Sequence, residues 1–221
     1  KSMALLGEVL GRQEEAQTFN RFYQQELTKV TDVVAQIPKA DWPGVFLHSR
    51  LGLHDSCCET MVRGMMGRFI DAAGGRNVAA DRVPGVSGVM NLEYLLSDPP
   101  DRYLATAIGS RKYQVSDADQ PYVMLGAGVD GPMARESFRR ATDRPGLRAL
   151  EPIRELRAMA IWHHFYNTPM NVVAVQALAR WLHPEALSEL DPEQTLETFY
   201  REFQPVPLDG RYWITLGEET L

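Results

Sequence analysis

Cysteine is scarce in this chain. Of its 221 residues only two are cysteines, and these are adjacent, Cys57 and Cys58. Zinc sites and disulfide frameworks use cysteines at spaced positions, so the pair is typical of neither. The sequence also lacks an H-E-x-x-H motif and a G-x-S-x-G motif. It therefore carries no sign of a helical zinc site or of a hydrolase serine, and we predict no metal ligands of its own.

Long apolar runs and an excess of positive charge are also missing. No stretch approaches the roughly 18 to 20 apolar residues of a membrane-spanning helix, and the first residues do not resemble a signal peptide. Lys and Arg together number 23 against 29 Asp and Glu, a net charge of -6. Such a chain has no basic surface to neutralise nucleic-acid phosphates. With 44% hydrophobic and 24% charged residues, its composition is that of an ordinary globular protein.

Two helices are predicted at the beginning of the chain. Residues 4–10 have apolar side chains at helical spacing and stop at Gly11, a residue type that commonly follows a helix. Between residues 12 and 36 apolar side chains recur every three or four positions until Pro38 ends the run. This second helix is long, since helices in globular proteins average about 11 to 12 residues, and it can act as a strut.

Strand and helix patterns alternate after residue 43. Strands are predicted at 45–48, 103–107, 122–125, 158–162 and 211–216. Helices are predicted at 91–96, 133–141, 169–182 and 192–203, and a further one from Asp55 or Ser56 to about residue 73. This alternation predicts an α/β fold, a Rossmann-like central sheet covered by helices on both faces.

A glycine-rich stretch at residues 126–131 matches G-x-G-x-x-G between a strand and a helix. In a dinucleotide site the glycines let the pyrophosphate approach the helix, and an acid at the end of the next strand binds the ribose. The next strand here ends in Trp162 and His163, without an acid. The alternatives are a nucleotide-dependent enzyme and a plain strand-to-helix turn.

An aromatic and imidazole cluster, residues 162–167 (W-H-H-F-Y-N), follows the predicted strand 158–162. Open α/β sheets bind ligands beyond the carboxyl ends of their strands. Trp162 and Tyr166 offer flat contact surfaces with a polar edge, and His163 and His164 can donate to the oxygens of a chelate. The alternative is that Trp162 and Phe165 are core residues and the histidines are satisfied loop residues. Adjacent histidines point in different directions, which is unlike a metal site.

The loop from residue 48 to 59 also follows a strand. Arg50 can pair with an anionic chelate. Cys57 with His54 suggests a hydrolase nucleophile, because a helix N-terminus lowers the pKa of a thiol. The alternative is that both cysteines are small buried thiols.

Several of these segments resemble one family. The run 160–169 (A-I-W-H-H-F-Y-N-T-P), followed by 177–185 (A-L-A-R-W-L-H-P-E), resembles the C-terminal region of the iron-siderophore and cobalamin class (class III) of substrate-binding proteins. Residues 65–69, 73–79, 91–96 and 203–216 resemble the same family in the same order. The resemblance covers nearly the whole chain.

The resemblance implies a fold of two α/β lobes joined by one long helix, a helical-backbone metal receptor with chelatase-like lobes. On that template residues 1–40 are the end of the N-terminal lobe and the connecting helix, and residues 41–221 are the C-terminal lobe. The rest of the N-terminal lobe, and a signal peptide or lipoprotein cysteine, would lie upstream of this chain.

The resemblance also implies a function: the substrate-binding component of an ABC importer, not an enzyme, for a ferric siderophore or a related metal-centred cofactor such as haem or cobalamin. It implies a periplasmic or extracytoplasmic monomer, lipid-anchored in some relatives, that docks on an inner-membrane permease. The loop that starts at Trp162 would line the cleft, with His163, His164 and Tyr166. Glu59 and Glu151 are the candidates for the acidic residue that docks on the permease.

Overall fold

A central five-stranded sheet organises the chain. The computed structural model describes residues 2–53, 57–109 and 122–217. The strands are β1 (Gly44–His48), β2 (Glu59–Met61), β3 (Arg76–Asn77), β4 (Ser87–Val89), β5 (Arg102–Ala107), β6 (Ala158–Trp162) and β7 (Trp213–Thr215). The α-helices are α1 (Ser2–Leu10), α2 (Gln13–Val34), α3 (Gly67–Ala72), α4 (Leu92–Ser97), α5 (Gly131–Thr142), α6 (Glu151–Arg154), α7 (Asn171–Leu182) and α8 (Pro192–Phe203). The predicted α/β class is confirmed.

The main sheet has the strand order β3-β1-β5-β6-β7. Its first four strands are parallel, with Val45 opposite Arg102 and Leu104 opposite Met159. β7 is antiparallel to β6 and closes one edge, while β2 and β4 form a separate antiparallel pair. Every residue of β1 is buried, as expected where helices cover both faces of a parallel sheet.

Alternate residues of the strands divide between two cores. Val45, Leu47 and Leu104 face one core, which they share with α2, α3, α7 and α8. Phe46 and Tyr103 face the other, which they share with α4, α5 and α6. Because successive side chains of a strand point to opposite faces, the continuous apolar runs of β1, β5 and β6 supply both layers.

The long helix α2 lies against the α/β lobe. The side chain of Gln176 in α7 donates to the Glu26 carboxylate of α2 at 2.9 Å, and Thr195 of α8 donates to the same oxygen at 3.1 Å. Phe19 and Val34 belong to the core beneath. Tyr23 of α2 also donates to Asn171 of α7 at 2.8 Å. The predicted helix 12–36 is confirmed, and the division of the chain at residue 40 stays a prediction.

The predicted helix from residue 55 or 56 to 73 is wrong. The chain forms β2 there and becomes helical only from Gly67 to Ala72. Met61 ends β2 and Met66 lies in the irregular segment before Gly67, and both are buried, so two buried residues at helical spacing do not belong to one helix. A Cβ on Gly67 would lie 2.5 Å from the carbonyl oxygen of Val62, which shows how closely the backbone folds on itself.

Two strand predictions also need correction. Residues 122–125 form no strand in the described part of the chain, only an isolated bridge between Gly109 and Met124. The strand predicted at 211–216 is shorter in the structure, where β7 runs only from Trp213 to Thr215. Along the outer side of β7, Arg135 of α5 donates to the carbonyl oxygens of Thr215 at 3.0 Å and Gly217 at 2.8 Å.

Candidate ligand-binding edge of the sheet

The carboxyl ends of β1, β5 and β6 meet at one edge of the sheet. These strands are neighbours and parallel, so the residues that follow His48, Ala107 and Trp162 come together there. Such an edge is where open α/β sheets bind ligands. Two of the predicted site segments, Arg50 after β1 and residues 162–166 after β6, are brought to this edge.

Thr106, near the end of β5, joins the two segments. Its hydroxyl accepts the backbone N–H of Arg50 at 2.7 Å and lies 2.9 Å from Nδ1 of His163. The Thr106 side chain is fully buried. A hydroxyl that accepts one hydrogen bond can donate its own proton to the imidazole. One threonine therefore fixes the position of both predicted ligand-binding segments.

Arg50 is held in the left-handed region of backbone space, at φ 51°. Its Nη2 donates to both carboxylate oxygens of Glu59, at 2.9 and 2.7 Å. The buried Nε of Arg50 has no hydrogen-bond partner among the described residues. Since a guanidinium has five donors, Arg50 keeps donors for an anion after pairing with Glu59. Backbone strain of this kind clusters at ligand sites.

His163 is buried and neutral at pH 7. Burial, with smaller contributions from the nearby His164 and Arg50 and against the opposing effect of Glu59, lowers the pKa of its imidazole to about 4. A neutral imidazole has one donor and one acceptor nitrogen. His163 therefore acts at this edge through hydrogen bonds and not through charge.

The neighbours of His163 in the cluster differ in their exposure. Trp162 is half-buried, with its ring edge-on to those of Tyr212, His164 and Phe165 at 5.4 to 5.6 Å. His164 is exposed. Phe165 is fully buried, so the core interpretation is right for that residue. The cluster is divided between core and surface.

Tyr166 points towards the first helices. It stacks edge-on with His163 at 5.3 Å and lines a depression of about 530 Å³ beside α1 and α2 with residues such as Tyr23 and Asn167. Tyr166 and His164 thus face different parts of the surface. A ligand that contacts both must span the short helix His163–Asn167.

The glycine-rich stretch forms a turn. The carboxylate of Asp130 accepts the N–H of Met133 at 2.8 Å and caps α5, at the position where a pyrophosphate would bind. Gly126 N–H donates to the carbonyl of Arg211 at 2.7 Å. The contacts favour the plain turn over the nucleotide site.

The hydrolase alternative depends on Cys57 and His54. The sulfur atoms of Cys57 and Cys58 are joined in a disulfide, which leaves no thiolate to attack a substrate, and Cys57 precedes a strand and not a helix. His54 lies outside the described residues. Both cysteines were expected as free thiols, and the disulfide corrects that.

Sequence reasoning missed Thr106 and Tyr212 at this edge, and it named Glu59 only as a docking candidate and not as the partner of Arg50. Their contribution depends on strand register and on pairing between distant segments. For Thr106 a signal existed, because it stands one residue before the end of a predicted strand. The two candidate docking residues lie at opposite ends of the sheet. Glu59 pairs with Arg50 at the carboxyl edge, whereas Glu151 pairs with Arg157 at 2.6 Å, beside the amino ends of β5 and β6.

Comparison with known proteins finds the fold among solved structures. No family model matches the chain, and no curated protein does. The TroA-like periplasmic binding protein FepB from Veillonella parvula superposes with a TM-score of 0.86 at 22% identity, over 98% of this chain and 60% of that one. This chain has the TroA-like fold.

Other proteins with this fold superpose less closely. MolA of Haemophilus influenzae, solved with molybdate, matches at a TM-score of 0.66 and 13% identity, over 94% of this chain and 56% of MolA. A periplasmic heme-binding protein from Pseudomonas aeruginosa matches at 0.57 and 20% identity, over 83% and 58%. The chain thus spans about 60% or less of the length of these TroA-like proteins. The family resemblance of the sequence is confirmed at the level of the fold.

No helix in the described ranges is long and apolar enough to cross a bilayer.

Proposed function

We propose that this chain is the C-terminal lobe of the substrate-binding component of an ABC importer. The ligand is a ferric siderophore, with haem and cobalamin as the related alternatives. The observation that carries the proposal is the convergence of Arg50 and His163 on the Thr106 hydroxyl, with Trp162 and His164 on either side of His163 in the chain. The edge of the sheet that binds ligands in this class of fold presents a cation, imidazoles and an indole.

The chemistry of the edge suits the binding of a chelate. The Arg50 side chain is 36% exposed, and the guanidinium donors that Glu59 does not use can bind an anionic chelate. His163 is neutral and can donate without introducing charge. The exposed ring of His164 and the half-buried ring of Trp162 give a rigid surface that loses little conformational entropy on binding. A chelated metal needs no further ligands from the protein.

The partners follow from the same proposal. A lobe of this kind binds together with a second lobe, and the closed form docks on an inner-membrane permease in the periplasm or another extracytoplasmic compartment. The protein would act as a monomer and without catalysis. The net charge of -6 gives no reason to expect nucleic acid as a partner. The likeness of this fold to that of a periplasmic heme-binding protein from Pseudomonas aeruginosa supports the proposed role in transport.

Tryptophan fluorescence tests the proposal. The full-length protein is titrated with ferric hydroxamate and ferric catecholate siderophores, haem and a corrinoid, and one of them should quench the emission with a saturable curve. Trp162→Phe should remove most of the quenching, because the ring lies at the proposed site. Trp42→Phe is the matched control, since Trp42 precedes β1 at the opposite edge of the sheet and should leave the curve unchanged.

Substitutions at the edge test the site itself. Arg50→Gln and His164→Ala should each weaken binding, by about 10-fold for one lost hydrogen bond to a charged group. Should none of these ligands quench the protein, or should both variants bind as tightly as the wild type, the proposed function is wrong.

A further inference from the structure

A second cluster of chemically active side chains lies behind this edge. One ligand-type atom from each of His48, Cys57 and Cys58 lies within 4.8 Å of the other two. His48 is the last residue of β1 and is buried, Cys58 is fully buried, and Cys57 is half-buried. The cluster therefore has one side that opens towards solvent.

The imidazole of His48 is held in one orientation by its neighbour on β5. Its Nδ1 lies 2.6 Å from the hydroxyl oxygen of Tyr103, which is itself fully buried. In metal sites one ring nitrogen of a histidine bonds to an oxygen in this way while the other nitrogen binds the metal. Nε2 of His48 makes no hydrogen bond with any described residue, so it is available as a ligand.

We propose that reduction of the Cys57–Cys58 disulfide creates a site for one thiophilic divalent cation, held by the two thiolates and by His48. This site adjoins the proposed chelate site but shares no side chain with it, and nothing in it depends on which ligand the importer carries.

The reduction balances with a dithiol as the reductant. The dithiol gives two electrons and two protons to the disulfide, the S–S bond breaks, and two thiols form while the reductant becomes a disulfide. The incoming cation then displaces both thiol protons to water, because only thiolates bind the metal.

The ligand set and its dimensions suit such a cation. Two cysteines and one histidine, with the fourth position open, is a known zinc arrangement. Tetrahedral bonds of about 2.0 to 2.3 Å place the ligand atoms roughly 3.5 to 3.8 Å apart. The histidine and sulfur ligand atoms lie within 4.8 Å of one another, and the two sulfur atoms, bonded to each other in the disulfide, move apart to this spacing once the bond is reduced. Two thiolates also neutralise the charge of the cation, which lowers the free-energy cost of burying it.

Cadmium is the probe, because its thiolate complexes absorb in the ultraviolet. The full-length protein is reduced with dithiothreitol, desalted without oxygen and titrated with Cd²⁺, and a parallel sample is left oxidised. One equivalent of Cd²⁺ should produce the thiolate-to-cadmium band in the reduced sample alone. Isothermal titration with Zn²⁺ should give the same stoichiometry.

Variants separate the three ligands from non-specific thiol binding. The double variant C57S/C58S should lose the band. His48→Gln should weaken Cd²⁺ binding by more than the roughly 10- to 100-fold that loss of an outer-sphere partner costs, and Tyr103→Phe by about that amount. His183→Gln is the control, because His183 bonds to the carbonyl of Gly74 far from the cluster, and it should bind as the wild type.

Two results would overturn the proposal. One is a reduced protein with two titratable thiols and no cadmium band. The other is a folded His48→Gln variant, checked by circular dichroism, that binds Cd²⁺ as tightly as the wild type. Since no chelate is present in these titrations, their failure is distinguishable from failure of the proposed transport function.

Discussion

The hydroxyl oxygen of Thr106 lies 2.9 Å from Nδ1 of His163. The same oxygen accepts the backbone N–H of Arg50 at 2.7 Å, so the hydroxyl ties the loops after β1 and β6 to the strand between them. All three groups are buried or partly buried, which makes the loss of this hydroxyl costly.

Thr106→Val should therefore destabilise the protein. Valine keeps the shape of the side chain but leaves a backbone N–H and an imidazole nitrogen without partners, which costs about 1 to 3 kcal/mol. Urea unfolding at pH 7 measures the loss. Thr18→Val, at an exposed position of α2, is the matched control and should change the free energy of unfolding by less than about 0.5 kcal/mol. Equal stability of the two variants would contradict the role given to Thr106.

His163 should make stability depend on pH. Burial lowers the pKa of the folded state to about 4 from an ordinary value of 6.5, so between these values the unfolded chain binds more protons than the folded one. The free energy of unfolding is then highest above pH 6.5 and falls as the pH drops towards 4.

His163→Gln should remove part of this pH dependence. Urea unfolding at pH 7, 6 and 5 should give a shallower fall in the variant than in the wild type, because its side chain does not titrate. Asn167→Gln, an exposed and non-titrating position on the same short helix, should keep the wild-type slope. A variant slope equal to that of the wild type would contradict a lowered pKa of His163 in the folded state.

Gly126 should be intolerant of any side chain. Its φ is 111°, and a Cβ there would lie 3.0 Å from Nε1 of Trp162. Gly126→Ala should cost about 1 to 3 kcal/mol from backbone strain and shift the emission of Trp162. Gly131→Ala, at the start of α5, meets nothing within 4 Å beyond its chain neighbours. Because Pro132 follows and disfavours a side chain in helical backbone before it, the change should alter the free energy of unfolding by less than about 1 kcal/mol, and it serves as the control. Thermal unfolding followed by tryptophan fluorescence measures both.

The Glu26 carboxylate should stabilise the packing of α2 on the lobe. Burial raises its pKa, but hydrogen bonds from Lys29, Gln176 and Thr195 outweigh burial, and the net shift is downward. Glu26→Gln should cost about 1.5 to 3 kcal/mol at pH 7, the range for a hydrogen bond to a charged group. The cost should shrink as the pH falls below the ordinary value of 4.5, because the unfolded chain takes up the proton first, and it should vanish once the folded carboxyl is protonated as well. Glu197→Gln, exposed on α8, is the control in the same urea titration.

Periodicity was enough to predict the elements with continuous apolar runs or capped ends. β6 and α8 have the bounds predicted from the sequence, and α2 differs by two residues or fewer at either end. The helix predicted across Met61 and Met66 was wrong, because the buried residues between β2 and α3 do not recur at a regular spacing. Local patterns describe helices and strands, and they say little about segments that are shaped by distant contacts.

Only part of the candidate site could be predicted from local patterns. The rule that ligands bind beyond the carboxyl ends of parallel strands led to Arg50 and to residues 162–166, and the fold brings those segments together. Their role in ligand binding stays a prediction. The pairing of Arg50 with Glu59 and the disulfide at Cys57 depend on contacts that no spacing in the sequence reveals.

The outer side of β7 has a further consequence. Antiparallel pairing with β6 turns every second carbonyl of β7 outward, and Arg135 occupies the one at Thr215. A bare sheet margin is a template on which another polypeptide can add a strand and begin to aggregate. The Arg135 guanidinium occupies that carbonyl, so an added strand would have to displace it before it could pair with β7 at Thr215.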